Sequence, residues 1–138
     1  MKSSTVFDCK LISLPQVGNR HGFITSINNN VEVPFETNRI YYLYDIPGGE
    51  SRAAHAHKEL QQLIVAASGS FDITLDDGVN KKTFNLLRPN VGLYMVPGIW
   101  RDLSNFSSGA ICLVLASDVY KEADYIRDYD EFLEAKKK

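Results

Sequence analysis

In the stretch FDITLDD, Phe71, Ile73 and Leu75 alternate with Asp72, Thr74 and Asp76, the period of a strand with one buried face. Similar punctuation runs from residue 1 to residue 117, where short runs rich in Val, Ile, Tyr and Phe are separated by Gly, Pro, Asn and Asp. That pattern predicts many short antiparallel strands. The candidates are residues 6–14, 23–27, 39–45, 54–58, 61–68, 69–75, 81–86, 92–96, 101–106 and 110–116. Asp77-Gly78, between two of them, is a hairpin signal. Strands of this kind suit a sandwich or barrel. The pattern then changes: in EADYIRDYDEFLEAKKK, Tyr125, Tyr129, Phe132 and Leu133 recur at spacings of three and four, as on one face of a short helix. Lys136 to Lys138 suit the negative end of its dipole or a solvated tail. The expected class is all-β with a short C-terminal helix.

The chain's 138 residues are enough for one ordinary domain that buries roughly two-thirds of its unfolded surface, so a single domain over 1–138 is expected. Hydrophobic residues at 44% and charged residues at 23% argue against disorder. A formal charge of -2 supplies no broad basic field for nucleic acid, although a few arginines still suffice to grip one small phosphorylated ligand. Cys9 and Cys112 are too few for a disulfide scaffold, which fits a reducing cytoplasm. The N-terminal MKSSTVFDCKLISL carries Asp8 and Lys10 within what would be an apolar signal region, and no run approaches membrane-spanning length. Neither secretion nor a membrane partner is expected.

Chemistry concentrates in GESRAAHAHKELQQLIVAASG, residues 49–69. His55 and His57 are two apart, so on a strand their side chains leave the same face and converge. Two alternate histidines could be no more than a polar patch of strand. Here, however, Gly49, His55, His57, Gln62 and Gly69 also fall on the first cupin motif, and Pro97, Gly98, Arg101 and Asn105 in VPGIWRDLSN fall on the second. His55, His57, Gln62 and Arg101 therefore occupy the four positions of a cupin metal site. Arginine has no lone pair to donate and repels a divalent cation, and glutamine lacks the charge of the acidic ligand it replaces. The reading is a cupin-type jelly-roll barrel whose metal site has become an acid/base pocket: two imidazoles that titrate near neutrality beside a fixed cation. Trp100, next to Arg101, is read as either barrel-mouth packing or a ligand stacker. Tyr42 and Tyr44 cannot share the face of Tyr41.

With these residues in view, the chain resembles the sugar 3,4-ketoisomerases, the WxcM-like cupins. The resemblance is carried by VPFETNRIYYLYD, RAAHAHKELQQ, LDDG, VGLYMVPGIW and LASDVYKEADYIRDYDEF, nearly end to end. It implies an isomerase that moves the keto group of dTDP-4-keto-6-deoxyglucose from C4 to C3 through an enediol, in the making of 3-amino deoxysugars for lipopolysaccharide or S-layer glycans. No metal and no cofactor are implied. His55 would be the main proton shuttle, with His57 assisting and Tyr41 lining the sugar site. Arg39, Arg52 and Gln62 would surround the nucleotide-sugar. The resemblance also implies a homodimer in which residues 1–14 form a strand exchanged with the partner. Arg101 and His21, the latter in NRHGFIT where many members have Arg-Gly-Ser/Thr-Leu, fall at positions that separate branches giving galacto or gluco products at C4. Two other readings stay open: a noncatalytic nucleotide-sugar-binding cupin, and a metal-dependent cupin enzyme.

Overall fold

The computed structural model describes residues 1 and 3–137. Two five-stranded sheets face one another, with one short helix at the C-terminal end. The first sheet has the order β1 (Lys10–Ser13), β9 (Val91–Met95), β6 (Gln62–Ser68), β11 (Ile111–Ala116) and β4 (Arg39–Leu43). The second runs β12 (Tyr125–Ile126), β5 (Arg52–His57), β10 (Trp100–Ser104), β7 (Phe71–Asp76) and β8 (Lys81–Leu86). A separate hairpin joins β2 (Val17–Asn19) to β3 (Gly22–Ile24). All named pairings are antiparallel. The architecture is the expected jelly roll, as two facing sheets rather than one closed ladder.

The period-two pattern explains which side chains meet between the sheets. Phe71, Ile73 and Leu75 of β7 point inward, as do Ile64 and Ala66 of β6, Cys112 and Val114 of β11, and Leu93 and Met95 of β9. β6 and β11 do not alternate in polarity, because their other faces are covered too. Leu63, Val65 and Leu115 pack beneath Leu14, Val33 and Phe35 in a second cluster. Gly69, which closes the β6–β7 hairpin, sits at φ +67, and a Cβ there would lie 2.4 Å from Ser107 Oγ and 2.9 Å from Ala110 Cα. Glycine is required at that turn.

Four expectations need correction. Residues 6–8 form a 3-10 turn capped by Thr5 rather than the start of a strand; Asp77 holds it in place by accepting from Val6 N at 2.9 Å. Asp77 also accepts from Val79 N and Asn80 N, so the β7–β8 turn is wider than a two-residue hairpin. At the other end, the helix α1 spans Tyr129–Lys136 and begins at the Asp128 cap, whose Oδ1 accepts from Glu131 N at 3.0 Å. Tyr125 therefore does not lie on the helix but on β12, paired with His57 on β5. Lys136 is no solvated tail residue: its ammonium donates to the carbonyls of Ser4 and Gly98 at 2.7 and 2.9 Å. Lys138 and Lys2 lie outside the described residues. Within the single chain, residues 10–13 pair with β9.

Candidate active site

His55 and His57 both project from β5, and both are buried. Their Nε2 atoms are 3.1 Å apart and their rings lie edge to face, with centroids 4.8 Å apart. The ladder aligns Arg101 of β10 with His55, and the arginine is only 2% exposed. From the opposite sheet, Gln62 accepts a short hydrogen bond from Arg101 Nη1 through its carbonyl oxygen, while its amide donates to Tyr41 OH at 3.0 Å. Gln62 thus spans the cation and the phenol, and the Tyr41 hydroxyl proton remains to be donated to a ligand oxygen. A cavity of about 400 Å³ opens among these groups and is also lined by Arg39, Arg52, Tyr120, Tyr125 and Arg127. Arg39, Tyr41, Arg52, His55, Gln62 and Arg101 are brought together as the sequence suggested. His57 stands just behind His55 and faces an adjoining cavity of about 480 Å³ that shares Arg39 and Tyr125 with the first.

Two candidates do not reach this cavity within one chain. His21 is exposed at the turn of the β2–β3 hairpin, which pairs only with itself; its Nε2 meets Arg20 Nε at 3.4 Å. Trp100 precedes Arg101 on β10, so with Arg101 turned inward it faces the other side. There it packs with Ala56, Ile126 and Phe132, its ring 5.3 Å from Tyr129 and 5.7 Å from Phe132. Of its two readings, packing is the one found.

The structure adds residues that no local spacing marked. Tyr125 places its ring 4.3 Å from His57 and 5.0 Å from His55. Its helical spacing with Tyr129 concealed a strand position that only the β12–β5 pairing exposes. Asp124 lies 3.1 Å from His57 Nδ1. Arg127 stacks over Tyr125 at 4.2 Å and makes a two-pronged ion pair with Glu122 at 2.8 and 2.9 Å, which with Tyr120 lowers the Glu122 pKa to about 2.

The electrostatic balance of the cavity is cationic. Among the described residues, Arg39, Arg52 and Arg101 have no carboxylate within ion-pair distance, and the Nε atoms of Arg39 and Arg101 are buried without a partner. Burial raises the Tyr41 pKa against the pull of Arg101, which keeps the phenol protonated. Burial also drives the His57 pKa far below its ordinary value, helped by Arg101, His55, Arg39 and Arg127. The Asp124 carboxylate acts in the opposite direction, but the ring is fully excluded from water and three guanidinium groups oppose its protonation, so His57 is neutral.

The sequence model of the FdtA family, described as WxcM-like, C-terminal, matches residues 7–137. The chain is 42% identical over 123 residues to the TDP-4-oxo-6-deoxy-alpha-D-glucose-3,4-oxoisomerase of Aneurinibacillus thermoaerophilus, covering 89% of this chain and 88% of that one. It is 47% identical to the solved TDP-quinovose 3,4-ketoisomerase WlaRB of Campylobacter jejuni, with a TM-score of 0.89 over 94% of this chain and 99% of the other. The sugar 3,4-ketoisomerase QdtA of Thermoanaerobacterium thermosaccharolyticum, solved with TDP, is 34% identical with a TM-score of 0.93, covering 96% and 97%. The fold and the pocket define a cupin-like sugar isomerase. The chain belongs to the FdtA, WxcM-like family of sugar 3,4-ketoisomerases.

The buried neutral His57 gives a pH signature. An unfolded histidine with its ordinary pKa near 6.5 takes up a proton that the folded ring refuses, so stability is complete above that pKa and declines as pH falls below it. From pH 7.5 to 5.5 the loss is about 1.4 kcal/mol. Urea unfolding of the wild type and His57→Gln at both pH values should show this increment only in the wild type; equal pH dependence would show that the folded ring takes up its proton as readily as the unfolded one.

Proposed function

We propose that this protein converts dTDP-4-keto-6-deoxyglucose to its 3-keto isomer by proton transfer on His55, without metal or redox cofactor, as a single cupin domain. The observation that carries the reading is the arrangement around the cavity: an imidazole and a buried guanidinium on neighbouring strands of one sheet share it with a phenol from the other sheet, while two further arginines without carboxylate partners lie nearby. A sugar diphosphate supplies the negative charge those arginines lack. The nucleotide portion is suggested by the TDP bound to the relative QdtA.

Isomerisation begins when His55 removes the proton from C3 and the C3–H electron pair forms the C3–C4 double bond. The C4 carbonyl oxygen then becomes an enediolate oxygen. In this reading Arg101 and the Tyr41 hydroxyl stabilise that charge, an effect typically worth about 3–4 kcal/mol per donor in comparable oxyanion sites. The C3 hydroxyl proton passes to the O4 oxyanion, which becomes the C4 hydroxyl, and as the C3 oxygen collapses to the carbonyl the electron pair of the double bond takes the imidazolium proton at C4. No electrons enter or depart, so no redox cofactor is required. A divalent metal is disfavoured by the donor set, since the guanidinium of Arg101 is locked by Gln62 at the position where a metal cupin places a ligand. Arg101 and the similarity to a TDP-quinovose enzyme, a 6-deoxy sugar of gluco configuration, favour the gluco product at C4. The 3-keto group is the form an aminotransferase requires, which fits the making of 3-amino deoxysugars for surface glycans in the cytoplasm.

We also propose a homodimer with exchange of residues 1–14. Leu11, Val17, Phe23, Ile24, Ile40, Tyr42 and Tyr44 are exposed on the single chain, and the β1–β9 ladder made within the chain is the one an exchanged strand would make with a partner.

Incubating the protein with dTDP-4-keto-6-deoxyglucose in deuterated water and following the product by NMR should show the carbonyl at C3. Replacing His55 by Asn should reduce turnover about 100-fold to 10,000-fold while TDP still binds. Near wild-type turnover in that variant would remove His55 from the mechanism. For the assembly, sedimentation of the chain lacking residues 1–14 should give monomer or precipitate, and a well-behaved dimer would exclude the exchange.

A further inference from the structure

The proton-transfer reading leaves one partly buried carboxylate unexplained. Asp124 precedes β12 and is tied down on both oxygens. Oδ1 accepts from Glu59 N at 2.8 Å, and Oδ2 accepts from Leu60 N at 3.3 Å while facing His57 Nδ1 at 3.1 Å. The carboxylate side chain is 16% exposed and lines the adjoining cavity. A turn that needed only its N–H groups capped could use a carboxylate exposed to water. This one is aimed at an imidazole that is itself aimed at His55.

The order of the atoms fixes the order of the protons. A neutral His57 has one N–H, and facing a carboxylate that N–H is on Nδ1. Its Nε2 then carries a lone pair, so the contact at 3.1 Å between the two Nε2 atoms is one in which His55 Nε2–H donates to His57. We propose that Asp124 is a positioning residue that sets the tautomer of His57 and, through it, orients His55 and strengthens it as a base. This rests on the reading of His55 as the proton shuttle. When His55 takes the C3 proton, the positive charge on its ring is met by the His57 lone pair, which the Asp124 charge polarises.

Other charged and titratable groups face the pair from every side. Arg101 comes from β10, Arg39 and Tyr41 from β4, and Arg52 from β5 itself. Tyr120, Glu122, Tyr125 and Arg127 come from the C-terminal segment. The guanidinium groups disfavour an imidazolium, and Glu122 is already engaged by Arg127 and Tyr120. A carboxylate in line with the histidines offsets that repulsion along the axis where the proton arrives.

The test compares wild type, Asp124→Asn and Asp124→Glu in steady-state kinetics on dTDP-4-keto-6-deoxyglucose from pH 5 to 9. Asn keeps one acceptor oxygen, for the Glu59 N–H, but turns an NH2 donor toward the Leu60 N–H and His57 Nδ1 and carries no charge. In Asp124→Asn, kcat should fall by at least about tenfold with KM changed less than about twofold. The acid limb of kcat/KM, which reports the free-enzyme base, should move to lower pH. Asp124→Glu should restore part of the rate and of the limb. A profile lowered uniformly with its acid limb unmoved, or a rise in KM alone, would overturn the proposal by showing a purely structural cap. Should Asp124→Asn fold poorly, nitrogen NMR of the wild-type imidazoles decides: His57 should hold its proton on Nδ1, and a proton on Nε2 would overturn the assignment. Absence of turnover in the wild type would instead overturn the isomerase reading and this inference with it, a result separable from the others because no variant is involved.

Discussion

The guanidinium of Arg101 is excluded from water between two sheets and is held by the Gln62 carbonyl oxygen and by Ile99 O at 3.3 Å, with its Nε unpartnered. A buried cation without a carboxylate is costly, and burial pulls even the arginine pKa downward. The rest of the site is arranged around that charge. Gln62 turns its oxygen to the cation and so offers its amide to Tyr41. Burial and, after it, the cation's proximity oppose protonation of His57. An ordinary core position would have been filled by a Leu or Met of similar volume. Retaining the charge makes sense if an anionic oxygen completes it during turnover.

The jelly-roll frame explains why so few residues suffice. Strand alternation sends His55 and Arg101 inward from neighbouring strands of one sheet, and Tyr41 and Gln62 inward from the other, so the sheets deliver an imidazole, a guanidinium, a phenol and an amide to one cavity. In such a frame the positions that hold a metal in other cupins point at a common centre whatever side chains occupy them. Replacing lone-pair donors by a guanidinium and an amide changes what that centre attracts, from a cation to an oxyanion. The same geometry then suits the proposed proton transfer next to a carbonyl.

The sequence disclosed the parts of this that depend on local periodicity. Alternation in FDITLDD, the paired histidines and the glycine at position 69 gave the strands, the converging imidazoles and the hairpin, and five matched cupin positions gave the frame. What stayed hidden depends on pairing between distant segments. Tyr125 looked helical because it lies four residues before Tyr129, yet its backbone joins β5 beside His57. Asp124 is separated from its histidine by 67 residues, and no spacing rule connects them. Trp100 and Arg101 adjoin in sequence, so alternation requires them to face opposite ways, but which faces the cavity was settled by helix α1 covering the outer side. His21 sits on a hairpin that makes no ladder with either sheet, so its distance from the cavity could not be read from the chain.

The central claim is that the buried charge of Arg101 is kept for chemistry at a cost to stability. Equilibrium unfolding and turnover of Arg101→Met, an apolar side chain of comparable length, test it together. The account predicts a variant more stable by about 1 kcal/mol or more, because an incompletely paired buried cation is removed, together with turnover lower by about 100-fold or more, because the enediolate loses its counter-charge. A variant that is less stable yet isomerises at the wild-type rate would contradict it.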